Sequence, residues 1–564
     1  MKFKDFKYER PDIDSIKEYS VDLFEKLKKA KSFEEFDDYY RNFIKREKNL
    51  LTMESIASIR YTIDTENEFY NSEKDYFDEN SPQIQQIENE LQKIILNSNF
   101  KEEFKEKYGE HVLNLAEVGL KTFNEDIIEE LKEENKLNSK YVKLLGSVKV
   151  NFEGQERNLS QMRPFMLVPD RSKRKEAMKT IFGWFDEHQN EFDDIYDQLV
   201  KVRDKMAKKL GYDNFIELAY YRLSRTDYNA EDVANYRKQV EEFVVPVASE
   251  LRKRQKERIN LDKLYYYDED YSFEGGNPKP EGSTEEKVNK AQKMYKELSK
   301  ETEEFFNFMV ENELMDLDSK KGKTPGGYCT FIFDYDSPFI FSNFNGTSGD
   351  VDVLTHEAGH AFQSYQSRHI ELPELLFPTL ESAEIHSMSM EFITYPWWDL
   401  FYGEQTEKAK FMHLSEALLF IPYGVSVDEF QHWVYENPEA TPESRRKKWS
   451  EIEKKYLPER DYDGVDYLVN GGFWQKQSHI YESPFYYIDY TLAQICAFQF
   501  FKKFNEDRKI AWEDYLRLCK AGGSKPFTGL INIANLKNPF KDGSLKETID
   551  FVESYLNKIN DKTL

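Results

Sequence analysis

Helical periodicity runs through most of this 564-residue chain and restricts its fold more than any other feature. Apolar residues recur three and four positions apart from residue 12 to about 150 and again from Asp350 almost to Leu564, a spacing that places them on one face of a helix. Ser32 precedes one such run and can cap its first turn. With only 24 Gly and 19 Pro, the chain is poor in turn formers. We therefore predict a mainly α fold.

Short β-strand signals interrupt the helical pattern in two places. Residues 146–170 alternate Val and Phe with Gly and Pro, which predicts a hairpin and a boundary near residue 165. Residues 326–345 contain two aromatic and β-branched runs separated by DYDSP, which predicts two strands and a turn. Residues 266–287 are rich in Gly, Pro and acidic residues and predict an exposed loop that can also line a cleft. One small sheet is expected immediately before the helix at Asp350.

Charge and cysteine content exclude several classes of protein. The chain has 79 basic and 105 acidic side chains and a formal charge of −26, which repels phosphate backbones and anionic membranes. No apolar window approaches the roughly 18 residues of a membrane span, and the N-terminus lacks the apolar core of a secretory signal. The three cysteines lie far apart and suggest neither disulfides nor a thiolate metal site. We expect a cytoplasmic protein with no nucleic-acid or membrane partner.

The most informative motif is HEAGH, formed by residues 356–360. Residues four apart on a helix point the same way, so His356 and His360 can bind one zinc ion. Glu357 lies on the adjoining side of the helix, where it can take a proton from a water and pass it to a leaving amine. Apolar residues surround the motif, which favours a buried metal site over a surface helix with two solvated histidines.

A catalytic zinc ion needs a third protein ligand, and the next helical segment offers several acidic candidates. Glu381, Glu384 and Glu391 are separated by three and seven residues and therefore share one helix face. His386 points away from that face. Spacing restricts the ligand to one of the three glutamates without choosing among them.

Several segments together resemble the thimet oligopeptidase/oligoendopeptidase F family of zinc metallopeptidases, closest to its bacterial oligoendopeptidase F branch. The resemblance begins with PFIFSNFNGTSGDVDVLT before HEAGH, and continues with AEIHSMSME, which contains Glu384. It extends to GYDNFIELAYYRLSRTDY at residues 211–228 and HIYESPFYYIDY at residues 479–490. The similarity therefore spans at least residues 211–490.

The resemblance implies a role for each residue of the zinc helix and of the helix that follows. It implies that His356, His360 and Glu384 bind one Zn2+ ion and that Glu357 is the catalytic acid and base. Glu391 is expected to accept a hydrogen bond from a ligand histidine and orient it. Glu381 is expected to be solvated or structural.

A second group of candidates lies about 120 residues further along the chain. His479, Tyr486, Tyr487 and Tyr490 carry donors that can stabilise the oxyanion formed when a peptide carbonyl is attacked. In a chain with 36 Tyr, aromatic packing between helices is the favoured explanation of such a cluster by sequence alone. The resemblance favours the catalytic role on a loop that faces the zinc ion. The segment is one residue shorter than in the thimet oligopeptidase branch, which leaves the choice between Tyr486 and Tyr487 open.

The resemblance also implies a domain organisation. A two-lobed helical body is expected, with the zinc site at the floor of a deep channel and one small β-sheet next to the zinc helix. We predict an N-terminal helical region at residues 1–165 and a catalytic region at residues 166–564. The latter would contain the zinc helix at 350–366, the third-ligand helix at 378–395 and a substrate and oxyanion loop at 471–490.

The function implied is that of a zinc-dependent oligoendopeptidase acting on short unstructured peptides. An extended substrate can add its backbone to a free sheet edge supplied by residues 338–345 or 326–333. The alternatives are a zinc exopeptidase of the same helical type and, far less favoured, a non-catalytic peptide-binding scaffold. The oligomeric state, monomer or dimer, stays open. If acidic residues line the channel, basic and neutral peptides should enter more readily than acidic ones.

Overall fold

The computed structural model describes residues 1–564, and most of them are helical. Ser32 caps α2 as predicted, because its side chain accepts a hydrogen bond from the Glu35 amide. Twelve α-helices precede the active-site half of the chain: α1 (Ile13–Lys29), α2 (Phe33–Ile63), α3 (Glu68–Leu96), α4 (Lys101–Tyr108), α5 (Glu110–Thr122), α6 (Ile128–Gly146), α7 (Leu159–Met162), α8 (Arg171–Glu187), α9 (Gln189–Lys209), α10 (Phe215–Arg222), α11 (Ala230–Gln239) and α12 (Val245–Arg258).

The remaining α-helices include the long, buried helices of the interior. They are α13 (Thr284–Leu298), α14 (Lys300–Glu311), α15 (Gly349–Ser367), α16 (Leu380–Ile393), α17 (Asp399–Tyr402), α18 (Thr406–Glu436), α19 (Pro442–Tyr456), α20 (Asp466–Val469), α21 (Ser478–Glu482), α22 (Tyr487–Glu506), α23 (Arg508–Ala521), α24 (Phe527–Ile533) and α25 (Lys546–Asn557). No helix combines the length and the apolar content that crossing a membrane requires. The predicted mainly α fold is confirmed.

The structure has two small sheets, which are the predicted hairpin and the predicted sheet before α15 with a third strand added. The hairpin pairs β1 (Val150–Phe152) with β2 (Gln155–Arg157). The second sheet has the order β3-β5-β4, formed by β3 (Met315–Asp318), β4 (Tyr328–Ile332) and β5 (Ser337–Phe344). Because β5 pairs with β3 on one side and β4 on the other, the prediction that residues 338–345 could supply a free edge is wrong. Of the two predicted candidates, only β4 is an edge strand.

Packing divides the chain into two lobes. Part of the N-terminal region has an apolar core of its own, which includes Phe36, Tyr40 and Phe104. Leu372 and Leu375, from the segment between α15 and α16, pack into this same core and join it to the rest of the chain. In the second lobe, α15, α16 and α22 are largely buried and pack against one another. These three helices carry most of the site residues predicted from the sequence.

Candidate metal centre and active site

Helices α15 and α16 bring together the three residues that the resemblance implies as metal ligands. One nitrogen each of His356 and His360 and one oxygen of Glu384 lie within 4.8 Å of one another. Glu384 Oε2 is 3.2 Å from His356 Nε2 and 3.5 Å from His360 Nε2. Ligand atoms on a tetrahedral zinc ion, with bonds of about 2.0–2.2 Å, are separated by about 3.3–3.6 Å. The side chains therefore fit a zinc ion bound by two imidazoles and one carboxylate.

The fourth residue of the HEAGH motif explains how these two helices come so close. A Cβ atom on Gly359 would lie 2.6 Å from the Ser387 Cα and 2.7 Å from the His386 carbonyl oxygen. Such distances are shorter than van der Waals contact, so any larger residue would push α16 away from α15. Gly359 thereby keeps Glu384 within reach of both histidines.

Glu391 holds the first of these histidines through its other ring nitrogen. The His356 Nδ1 lies 2.6 Å from Glu391 Oε1, which leaves Nε2 free to bind a metal ion. The second oxygen of Glu391 lies 2.7 Å from His413 Nε2, and Tyr395 donates to His413 Nδ1 at 2.7 Å. His413 is not among the candidates predicted from the sequence. It comes from α18, and no spacing along the chain indicates its contact with Glu391.

Glu357 lies buried beside the candidate metal ligands. Its carboxylate is buried, and its Oε2 atom has no hydrogen-bond partner. Burial raises the pKa of Glu357 above its usual value. A Cβ on Gly327, at the start of β4, would lie 3.4 Å from Glu357 Oε1, so the edge strand runs directly beside this carboxylate. An unpartnered buried carboxylate next to a ligand set is typical of a catalytic group.

The structure distinguishes the two tyrosines that the sequence left open. Tyr486 donates a hydrogen bond of 3.3 Å to Glu384 Oε1 and therefore faces the ligand set. Tyr487 packs against Phe420 and Tyr423 on the other side of His479. Tyr490 packs against Tyr486, with tilted rings whose centroids are 4.9 Å apart, and burial raises the pKa of Tyr490 to about 12. Both Tyr486 and Tyr490 therefore stay protonated near neutral pH and can donate hydrogen bonds.

His479 is held in one tautomer by its neighbour in the chain. Gln477 Nε2 lies 2.8 Å from His479 Nδ1, and Tyr423 donates to Gln477 Oε1 at 2.9 Å. Because the Gln477 amide nitrogen is a donor, His479 Nδ1 accepts and the ring proton sits on Nε2. Burial lowers the pKa of His479. The neutral imidazole therefore carries an Nε2–H that is free to donate a hydrogen bond.

The predicted loop at residues 471–490 is largely helical. His479 lies in α21, and both Tyr487 and Tyr490 lie in the first turn of α22. Between these helices Phe485 has a φ of +66°, in the left-handed region that a bulky residue seldom adopts. The loop assignment is therefore replaced by two helices joined at one strained residue.

Two buried side chains hold the strained residue. Gln431 accepts a hydrogen bond from the Phe485 amide at 3.0 Å, and Arg225 donates to the Phe485 carbonyl at 2.7 Å. The same guanidinium nitrogen of Arg225 also binds Asp489. Arg225 belongs to the segment at residues 211–228, to which the sequence assigned no chemistry. The contact connects that segment to the position of Tyr486.

Two further sequence expectations concern residues near the ligands. Glu381 is fully buried and accepts a hydrogen bond from Thr379 at 3.0 Å, so the structural alternative holds and the solvated one is wrong. Burial raises the pKa of Glu381. His386 is buried outside the ligand set, as its position on α16 predicted. The cysteines form no disulfide.

Family models match two parts of the chain. Residues 3–123 match the model described as Peptidase M3 N-terminal domain. Residues 165–549 match the model described as Peptidase family M3 and include every residue of the ligand set. Together the two models cover most of the chain.

Individual relatives carry related names. The chain is 25% identical over 407 residues to the oligoendopeptidase F homolog of Borreliella burgdorferi, which covers 70% of this chain and 66% of the relative. It is 24% identical over 377 residues to the oligopeptidase PepF of Bacillus subtilis strain 168, which covers 64% of this chain and 53% of that protein. The matched region is thus less than two thirds of either relative's length.

A solved structure is similar along the whole chain. The structure of Pz peptidase A with an inhibitor superposes with a TM-score of 0.94 at 55% sequence identity, and it covers 100% of both chains. The fold and the sequence of the two proteins therefore agree without large insertions.

Proposed function

Because the chain belongs to peptidase family M3, we propose that it is a zinc-dependent oligoendopeptidase that hydrolyses internal bonds of short, unstructured peptides. The observation that carries the proposal is the buried carboxylate of Glu357, whose Oε2 has no hydrogen-bond partner. It adjoins the candidate ligand set of His356, His360 and Glu384. Two imidazoles and one carboxylate are a donor set that suits zinc.

The proposed chemistry divides between the metal ion and the side chains around it. When bound, zinc supplies Lewis-acid activation of a water and of the substrate carbonyl. Glu357 Oε2 takes the proton of the attacking water and returns it to the nitrogen of the leaving amine, so no proton needs to come from bulk solvent. The raised pKa of Glu357 supports this role, because it makes the protonated form accessible during the cycle.

Three donors are proposed to stabilise the developing oxyanion. The hydroxyls of Tyr486 and Tyr490 and the Nε2–H of His479 lie on the segment that contacts Glu384. Fixed donors favour the transition state over the substrate when their positions do not need to reorganise. Tyr487 is proposed to act as packing that holds His479 rather than as a donor.

The edge strand β4 supports a preference for extended peptides. A substrate backbone can pair with β4 without any contact to its side chains, which would position the scissile bond by backbone geometry alone. Gly327 places the start of this strand against Glu357. We further propose that short peptides are the only partners needed for activity and that the three unpaired cysteines indicate a cytoplasmic location.

One assay tests the proposal. An internally quenched peptide blocked at both ends is incubated with the wild-type protein, with and without a zinc chelator, and with Glu357→Gln. Cleavage should be lost on chelation, return when zinc is added back, and fall by at least about a thousandfold in the variant. The exposed Glu404→Gln is the matched control and should cleave at the wild-type rate.

Two outcomes would contradict the proposal. Cleavage that survives chelation or the Glu357→Gln substitution would exclude the mechanism. Failure to cut the blocked peptide, combined with trimming of unblocked peptides, would favour the exopeptidase alternative.

A further inference from the structure

A cavity of about 370 Å3 lies beside the candidate active site. Its walls come from α12, from residues 266–272, from α18 and from the turn Phe473–Lys476. None of the candidate metal ligands lines this cavity, whereas Gln477 and Tyr487, which both contact His479, do. The cavity is therefore separated from the ligand set by the layer of side chains around His479.

The same cavity approaches the ligand set from a second direction. Glu416 lines it from α18, one turn after His413, which contacts Glu391. Leu419, Phe420 and Met412 continue that wall as an apolar surface. A peptide that extends past His479 would thus enter a space with both apolar and charged walls.

One cation in the cavity differs from all the others. The three guanidinium groups that line it are already paired with carboxylates: Arg252 and Arg460 with Glu269, and Arg258 with Asp561. The ammonium group of Lys476 has neither an ion-pair nor a hydrogen-bond partner in the protein, and its Nζ lies 4.0 Å from the centroid of the Phe473 ring. Its three donors are available to a ligand.

Two unpaired carboxylates share the cavity with this lysine. Neither Asp270 nor Glu416 has a hydrogen-bond or ion-pair partner for its side chain. They repel an anionic ligand from their own side of the cavity and attract a cationic one. An anionic group is therefore directed to Lys476.

We propose that Lys476 binds a carboxylate of the peptide substrate, which makes this cavity a subsite for peptides that carry a negative group beyond the cleaved bond. The inference rests on the proposed function. The carboxylate is either the C-terminus or an acidic side chain, since both offer the same two oxygens to an ammonium group. Because a layer of side chains lies between Lys476 and the ligand set, this subsite is remote from the cleaved bond. An endopeptidase requires such a distance, since it cleaves bonds away from the ends of a peptide.

The test uses the full-length zinc-loaded protein and peptides matched in every respect except charge. One series ends in a free carboxylate or an amide, with the end placed one to four residues beyond the cleaved bond. A second series ends in an amide and carries Glu or Gln at those positions. In the wild type, the carboxylate member of one series should show a KM about tenfold or more below that of its neutral partner. The series that shows this difference identifies the source of the carboxylate.

Variants then assign the difference to this lysine. Lys476→Met should raise the KM of the carboxylate peptide about tenfold and leave that of the neutral peptide unchanged. Lys476→Arg should retain the preference, and Asp270→Asn should strengthen it by removing a competing anion. Lys447→Met, at an exposed and unpaired lysine on α19, is the matched control. Equal melting temperatures verify folding.

The outcomes separate this inference from the function on which it rests. If the wild type cleaves both members of each pair without preference, or if Lys476→Met keeps the wild-type preference, the subsite is refuted and the peptidase remains. If Lys476→Met does not fold, Asp270→Asn still decides, because a purely structural role of Lys476 predicts no change in the preference. If the wild type cleaves no peptide with zinc present, both proposals fall together.

Discussion

The Nδ1 atom of His356 lies 2.6 Å from Oε1 of Glu391, so this carboxylate fixes both the orientation and the tautomer of a proposed zinc ligand. Replacing Glu391 by Gln removes the charge that makes the His356 ring a stronger ligand. We expect the zinc dissociation constant of Glu391→Gln to rise about 10-fold to 100-fold, measured by competition with a chromophoric chelator.

The second partner of this carboxylate provides an internal comparison. His413→Gln should weaken zinc binding less than Glu391→Gln, because His413 contacts Glu391 and not the ligand histidine. Wild-type zinc affinity in Glu391→Gln would refute the role assigned to this contact.

Gln477 is expected to control the protonation of His479. Its amide donates to His479 Nδ1, and Gln477→Met removes that donor without adding a charge. The imidazole can then place its proton on either nitrogen, so kcat should fall about tenfold while KM changes little. Nitrogen NMR of the labelled protein should show a mixture of His479 tautomers in the variant and a single Nε2–H tautomer in the wild type.

Tyr423→Phe gives a graded version of the same change. It removes the hydroxyl that binds Gln477 Oε1 and leaves the Gln477 contact to His479 in place. A smaller loss of kcat is expected. If Gln477→Met lowers kcat without altering the tautomer, Gln477 acts through packing alone.

Arg225 is expected to position Tyr486 through the strained residue next to it. In Arg225→Lys the charge remains, but the lysine side chain ends one atom short of the guanidinium nitrogen that contacts both Asp489 and the Phe485 carbonyl. We predict at least a tenfold loss of kcat with a smaller change of KM and an unchanged zinc stoichiometry. Full activity in a folded Arg225→Lys variant would show that the left-handed turn at Phe485 is held without this residue.

Local spacing predicted the residues that lie on single helices and missed those that meet from different elements. The HEAGH spacing is a property of one helix, and so is the shared face of Glu384 and Glu391, which is why both could be predicted from the sequence. His413 lies 22 positions from Glu391 in the sequence, and Arg225 lies more than 200 positions from Phe485. Only folding brings such residues together. Tyr486 and Tyr487 are adjacent, and the backbone angle at Phe485 decides which of them faces Glu384.

The sheet illustrates the same limit. Strands β4 and β5 are aromatic and β-branched and were predicted, whereas β3 has the sequence MDLD, which lacks strand formers. It becomes a strand because β5 offers it a parallel partner. Likewise, no composition can show that Lys476 is unpaired, since that depends on which carboxylates the other cations of the cavity have already taken.

The preference for carboxylate peptides should depend on pH through Lys476. Burial and the Arg460 guanidinium lower the pKa of Lys476 to about 8. The carboxylates of Asp270, Glu269 and Glu453 oppose this shift. The ammonium is therefore charged below about pH 8 and neutral above it. The ratio of kcat/KM for the carboxylate peptide to that for its amide should fall up to about tenfold between pH 7 and pH 9.

Lys476→Arg is the control for this pH profile. A guanidinium stays charged throughout the range, so the ratio should remain flat wherever Lys476 is responsible. Burial and the neighbouring Asp352 and Asp270 raise the pKa of Glu416 to about 7, and its ionisation also disfavours anions as the pH rises. Because Glu416 is present in both proteins, a decline of equal size in Lys476→Arg would attribute the effect to Glu416 instead.

A half-buried glutamate in the N-terminal lobe should make that lobe less stable at alkaline pH. Burial, with the neighbouring Glu374 and Glu54, raises the pKa of Glu88 on α3 to about 7. A raised pKa in the folded state means that stability is greatest where Glu88 is protonated and is lost as the pH rises through about 7. Glu88→Gln keeps the uncharged form at every pH. It should increase the free energy of unfolding by on the order of 1 kcal/mol at pH 8, allowing for partial exposure, and by much less at pH 5.

Calorimetry at both pH values, with hydrogen exchange of the α3 amides to locate the change, measures this difference. Glu79→Gln, at an exposed position of the same helix, should show no dependence of its effect on pH. Equal stabilisation by Glu88→Gln at pH 5 and pH 8 would mean that Glu88 titrates normally and that burial does not keep it protonated.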